Sequence, residues 1–235
     1  MPSSAQTLLI RELEHARRLH EERRASPERA AALDRVAEWQ ARRLNATYAD
    51  LARDPRYAKA IVFFQTDLYG PGDFSRRDAD LSRVVPLMVR LVPNGVIATI
   101  ATAMELSTLS QELDRSLIEV LDASEAFTVA QYCAAYRACG NRAARERQIA
   151  LIGQTGRALD RYVRTPFVRT TLTLMRKPAR AAGFSALQDF LERGFASFAS
   201  MHGADEFLGT VDARETALME EILSGSAAPF PDPTQ

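Results

Sequence analysis

Cysteine is nearly absent from this chain, with Cys133 and Cys139 the only two. Six positions apart in a helical stretch, they face directions about 120° apart and cannot readily bridge. A disulfide framework is therefore excluded, and free thiols fit a reducing compartment. Histidine is almost as scarce, limited to His15, His20 and His202. Glu12 and His15 form one Glu-x-x-His, but a di-iron carboxylate site needs two such motifs and two further glutamates. His15 and His20 are five apart, one too many for a shared metal face on a helix. They read as surface residues of a charged helix, and neither a metal nor a cofactor is expected.

Net charge is absent too: 30 Lys and Arg balance 30 Asp and Glu. The bulk attraction to nucleic acid or to an anionic membrane that a basic protein has is thus missing. No apolar run is long enough to span a bilayer. The longest, Leu91 to Met104, contains Pro93, Asn94 and Gly95 and falls short of the ~20 residues required. Met1 to Leu9 lacks the basic region and apolar run of an export signal, so a cytoplasmic protein without membrane contact is expected. Gly153-Gln154-Thr155-Gly156-Arg157 lacks the lysine and spacing of a phosphate loop, and the glycines there suit close helix packing. No Gly-x-Ser-x-Gly element occurs. No recognisable catalytic constellation is left, and the reading leans away from an enzyme.

What the sequence does hold is helix. No segment of alternating β-branched residues competes with it. Ser26-Pro27-Glu28 and Thr165-Pro166 are cap-plus-proline starts, and Ser3 or Ser4 caps a first helix whose stripe is Leu9, Leu13 and Ala16. Gly140 and Gly183 sit where C-terminal caps belong. Ser185 with Gln188 has capping-box spacing. Pro86 inside an apolar helical pattern predicts a kink. The stretch from Val96 to Leu121 is apolar or small nearly all round at its start, as a central helix is. The fold predicted is all-α: one multi-helix bundle of about eight to ten helices over residues 1–225. A flexible proline-rich tail is expected over 226–235.

The most distinctive block runs from Phe63 and Phe64 through Tyr69, Gly70-Pro71-Gly72 and Asp73 to Ser75-Arg76-Arg77-Asp78-Ala79-Asp80. Two arginines in the first turn of a helix oppose its dipole by ~0.3–1 kcal/mol each. Asp73, Asp78 and Asp80 are near enough to neutralise them and lock the turn. The alternative is that Arg76 and Arg77 form a fork for an anionic ligand or partner group. This block resembles the bacterial proteins named for an FFLEELY motif, with Phe63, Phe64, Leu68 and Tyr69 matching. The chain departs from that motif at Gln65, Thr66 and Asp67, where Leu, Glu and Glu are expected. Asp67 keeps a charge and Thr66 does not, so no role needing two adjacent glutamates carries over. The resemblance implies a helical bacterial protein and brings no activity with it.

Charge is also segregated along the chain. Arg137 to Arg180 holds eleven cations against Glu146 and Asp160, a net of +9, whereas 101–136 carries −5 and 184–235 carries −7. Arg157, Arg161 and Arg164 lie opposite the apolar face of their helix. They can pair with the acidic helices of the same chain or of a second subunit, or bind phosphates. With zero net charge and few interleaved aromatics, pairing is favoured and nucleic acid disfavoured. The first reading is a non-catalytic protein-interaction module that self-associates as a homodimer or binds another protein. A helical protein or enzyme holding a small anionic ligand is the alternative, and a nucleic-acid-associated regulator a weaker one.

Overall fold

The computed structural model describes residues 3–63, 66–67, 74–91 and 93–233. Among these are eleven helices and no strand: α1 (Ser4–Ala25), α2 (Pro27–Thr47), α3 (Ala49–Arg53), α4 (Ala58–Phe63), α5 (Ser75–Leu91), α6 (Asn94–Ile118), α7 (Val129–Ala138), α8 (Arg142–Val163), α9 (Pro166–Ala181), α10 (Ser185–Ser200) and α11 (Asp205–Leu223). The all-α multi-helix class predicted from the sequence is the class observed.

Local signals set most of the ends. Ser3 caps α1 through a reciprocal box with Gln6, and the Ser26 hydroxyl accepts from the Arg29 amide ahead of α2. Gly140 and Gly183 adopt φ of 62° and 81° at the helix ends predicted for them, a conformation glycine takes without strain. α5 continues past Pro86 to Leu91.

Other ends answer to their surroundings. α2 stops at Tyr48, whose backbone leaves the helical region and whose hydroxyl donates to Glu215 on α11 at 2.8 Å. That break makes α3 a separate helix. α7 begins at Val129 because Thr128 and Gln131 form a capping box. The Ser185–Gln188 box does not form. Ser185 is already helical, and Gln188 turns towards α9 to donate to the Leu172 carbonyl and to Glu192, both at 2.8 Å.

α6 packs against α1, α2, α5 and α8, the central placement its composition predicts. Three apolar clusters surround it. Leu9, Leu13 and Ala16 of α1 meet Leu81, Ile97 and Met104. Tyr57, Leu151, Phe198, Phe207 and Leu208 join α4, α8, α10 and α11. Trp39 stacks on Tyr132 at 4.4 Å in the third cluster, with Phe127 and Phe230 against it. Phe230 belongs to the stretch expected to be loose. Its prolines forbid helix, but its ring is buried on Trp39 and Tyr132, so the chain is seated at least that far.

Candidate functional site

Phe63, at the end of α4, is buried against Phe190 with ring centroids 5.5 Å apart. A methyl group added at Gly194 would lie 2.9 Å from its ring, so α10 approaches α4 this closely only because residue 194 has no side chain. Phe64, Tyr69 and Asp73 lie outside the described residues. Asp67 is buried and accepts from Arg193 Nε at 2.9 Å and from the Thr66 hydroxyl at 2.9 Å.

The two arginines at the start of α5 part company. Arg76 points to solvent. The Arg77 side chain is 12 % exposed, held between the rings of Phe74 and Phe190 at 4.7 and 5.0 Å. It donates to Asp78 Oδ1 at 2.8 Å and to the Ser107 hydroxyl at 3.4 Å. The other Asp78 oxygen lies 3.0 Å from His20 Nε2, both residues buried. Asp80 is 3.8 Å from Arg83. Arg77 and Asp78 thus tie α5 to α1 and α6, and Arg76 does not converge with Arg77 on a shared ligand position. The expectation that His20 is a surface histidine is corrected: it is the buried partner of Asp78. On the same helix Glu12 is buried too, accepting from the Thr108 hydroxyl at 2.6 Å. His15 remains half-exposed, with Nε2 2.9 Å from Glu112.

Much of the basic segment is neutralised within the chain. Arg147 makes a two-pronged pair with Glu105 at 2.9 Å per bond, and Arg142 does the same with Glu220 at 2.6 and 2.7 Å. Arg176 and Arg180 of α9 reach Glu192 and Asp189 of α10 at 2.8 and 3.1 Å. The Arg176 and Gln188 bonds hold the Glu192 carboxyl down at about 2. Arg164 bends back to Asp160 on its own helix at 2.7 Å. The arginine stripe is therefore divided. Arg157 and Arg161 are exposed with no ion pair among the described residues, as are Arg169 and Lys177 of α9.

α9 itself is apolar over roughly 160° of its circumference, from Leu174 and Phe167 through Pro178, Met175 and Val168 to Ala179 and Leu172, at about 100° per residue. Only the Val168–Leu172–Ala179 edge meets the body of the protein, through α8 and α10. The other edge is left in water, with Phe167 77 % exposed, Leu174 71 % and Met175 47 %. Arg176 and Arg180 are fixed on the polar side, and Lys177 flanks the bare strip.

Among the described residues no helix is long and apolar enough to cross a membrane, and no three His, Cys, Asp or Glu side chains gather as a metal site would require. Neither a curated protein nor a solved structure matches the chain. Residues 19–229 match the model of a family described as a domain of unknown function, DUF8198. That span includes every helix from the last turns of α1 to α11, and the chain belongs to this family.

Proposed function

We propose that this protein acts by binding, as a homodimer whose subunits meet along the bare strip of α9. The observation that carries this reading is the exposure of Phe167 and Leu174, two large apolar side chains about two turns apart on one face of an element whose other apolar edge is already packed. Contiguous exposed apolar surface of this kind marks association sites, whereas scattered single residues do not. A two-fold contact places the same strip on both sides and needs no second surface.

The surrounding charge supports a second copy as the occupant. Arg157, Arg161, Arg169 and Lys177 have no ion pair among the described residues, and neither have Asp205, Asp212 and Glu221, all exposed on α11. A neutral chain with unpaired cations on α8 and α9 and unpaired acids on α11 can supply both signs of a polar rim from its own copy.

Size-exclusion chromatography with light scattering tests the reading. The wild type is expected at twice the 26.1 kDa chain mass. Leu174→Glu is expected at the monomer mass with an unchanged helical spectrum, because Leu174 contributes little to the folded monomer. A monomeric wild type, or a dimer that Leu174→Glu and Phe167→Ser leave intact, overturns the proposal.

A further inference from the structure

Away from α9, a cavity of about 90 Å³ lies between α2, α7, α8 and α11. It has room for several water molecules. Helical spacing builds it. Arg145, Gln148, Ile149 and Ile152 follow one face of α8, and Tyr132 and Tyr136 are four apart on α7. Leu44 and Val211 supply further apolar wall.

The polar groups of this cavity are unevenly satisfied. Glu215 accepts through Oε1, from Arg43 at 2.6 Å and from the Tyr48 hydroxyl at 2.8 Å. Arg145 is 7 % exposed, lies over the Tyr136 ring at 4.4 Å, and makes a single side-chain hydrogen bond, to Gln148 Oε1 at 3.4 Å. A guanidinium carries five N–H donors, and a buried cation without a partnered acceptor is costly. No carboxylate among the described residues lies within ion-pair distance of it. Asp114 feels the pull of Arg145, but it accepts from Gln40 at 2.8 Å and its own burial raises its carboxyl. The Tyr132 and Tyr136 hydroxyls also make no hydrogen bond among the described residues. Burial raises both phenols, Tyr136 to about 12, so both keep their protons at neutral pH and offer O–H donors.

We infer that this cavity binds a small monocarboxylate, held by the Arg145 guanidinium and the Tyr132 and Tyr136 hydroxyls with its hydrocarbon part against Leu44, Ile149, Ile152 and Val211. Arg145 and the two phenols offer unfilled donors, and the charged residues that line the cavity are two cations, Arg43 and Arg145, against the single acid Glu215. A planar carboxylate fits the guanidinium fork with two parallel bonds. Apolar walls suit a short alkyl body and do not suit a strongly hydrated dianion such as phosphate. The site is separate from the α9 strip, and it stands or falls independently of dimerisation.

The chain carries its own reporter, since its single tryptophan, Trp39, stacks on Tyr132 at 4.4 Å. Butyrate is titrated against matched sodium chloride and against inorganic phosphate, following Trp39 fluorescence, with calorimetry alongside. A saturable response to butyrate is expected, with neither chloride nor phosphate reproducing it. Arg145→Gln is expected to weaken it at least about tenfold, as loss of a charge-assisted bond does. Tyr136→Phe, which keeps the ring, is expected to weaken it about threefold. Gln154→Ala, on the same helix but exposed, leaves it unchanged. Should Arg145→Gln fail to fold, the Tyr132→Phe, Tyr136→Phe double variant carries the test with both rings in place. No saturable butyrate response overturns the inference, as does a stronger response to phosphate. An affinity unmoved by Arg145→Gln, or by the double variant, overturns it equally.

Discussion

Gly153 and Gly156 occupy the interior of α8, three residues apart, and replacing each by alanine separates helix propensity from packing. Alanine favours a helix interior over glycine by about 1 kcal/mol at either position. The surroundings differ. A methyl group at Gly156 would clash with Leu208 Cδ2 and lie 3.0 Å from Cδ1, and Leu208 is buried on α11 among Phe198, Phe207 and Leu151. At Gly153 the nearest atoms are the Arg157 guanidinium at 3.0 and 3.1 Å, the free end of an exposed side chain that can swing aside. Overpacking a filled core costs about 1–3 kcal/mol. Because the propensity gain is common to both variants, that steric cost is the difference expected between them. At about 2–4 °C per kcal/mol for a chain of this size, Gly156→Ala should melt roughly 2–12 °C below Gly153→Ala. Gly153→Ala should itself equal or exceed the wild type. Circular dichroism melts of the three proteins decide it. If Gly156→Ala melts at or above Gly153→Ala, the close crossing of α8 and α11 is not as described.

Further perturbations test other links. Asp78→Ala leaves His20 and Arg77 buried without their acceptor, and removing one partner of a buried charged pair costs about 3–5 kcal/mol; urea unfolding should show this, with Asp80→Ala nearly silent. Glu192 has a folded pKa of about 2 against an ordinary 4.5, so its contribution is present above about pH 4.5 and lost as the pH falls towards 2. The pair with Arg176 lies at the surface, so the effect is about 1 kcal/mol or less. The stability difference between wild type and Glu192→Gln should accordingly shrink between pH 5 and pH 2.5, and a pH-independent difference would contradict the pairing. Phe230→Ala should cost about 3 kcal/mol and change Trp39 fluorescence, because that ring covers the indole; an unaffected melt would mean the proline-rich end contributes nothing.

Features decided within a turn or two of chain were legible in the sequence. Ser26-Pro27, Thr165-Pro166, Gly140 and Gly183 set helix ends where their backbone chemistry requires. The apolar opening of α6 announced its central position. Long-range pairing was less visible. His20 shares a stripe with Leu9, Leu13 and Ala16, yet its polarity argued for the surface, because its partner Asp78 stands 58 residues away. Gln188 was diverted from a local cap by a carbonyl on a neighbouring helix. Phe230 followed prolines that exclude helix, but excluding helix does not exclude burial. The segregated charge blocks allowed pairing between basic and acidic helices without naming partners, and Arg147–Glu105 and Arg142–Glu220 are two such pairs. Which arginines of the stripe stay unpaired depends on the fold. So does the apolar edge of α9, since the arc is readable from spacing while the half left uncovered is not.

The claim that α9 is the self-association face is tested most directly by a spin label on Thr171, an exposed position on that strip. The label is introduced as Thr171→Cys in a chain with Cys133→Ala and Cys139→Ser. Two labels brought together across α9 should show strong dipolar coupling in the wild-type surface and none when Leu174→Glu is added. Uncoupled spins at concentrations where the protein is dimeric would place the contact elsewhere and contradict the account.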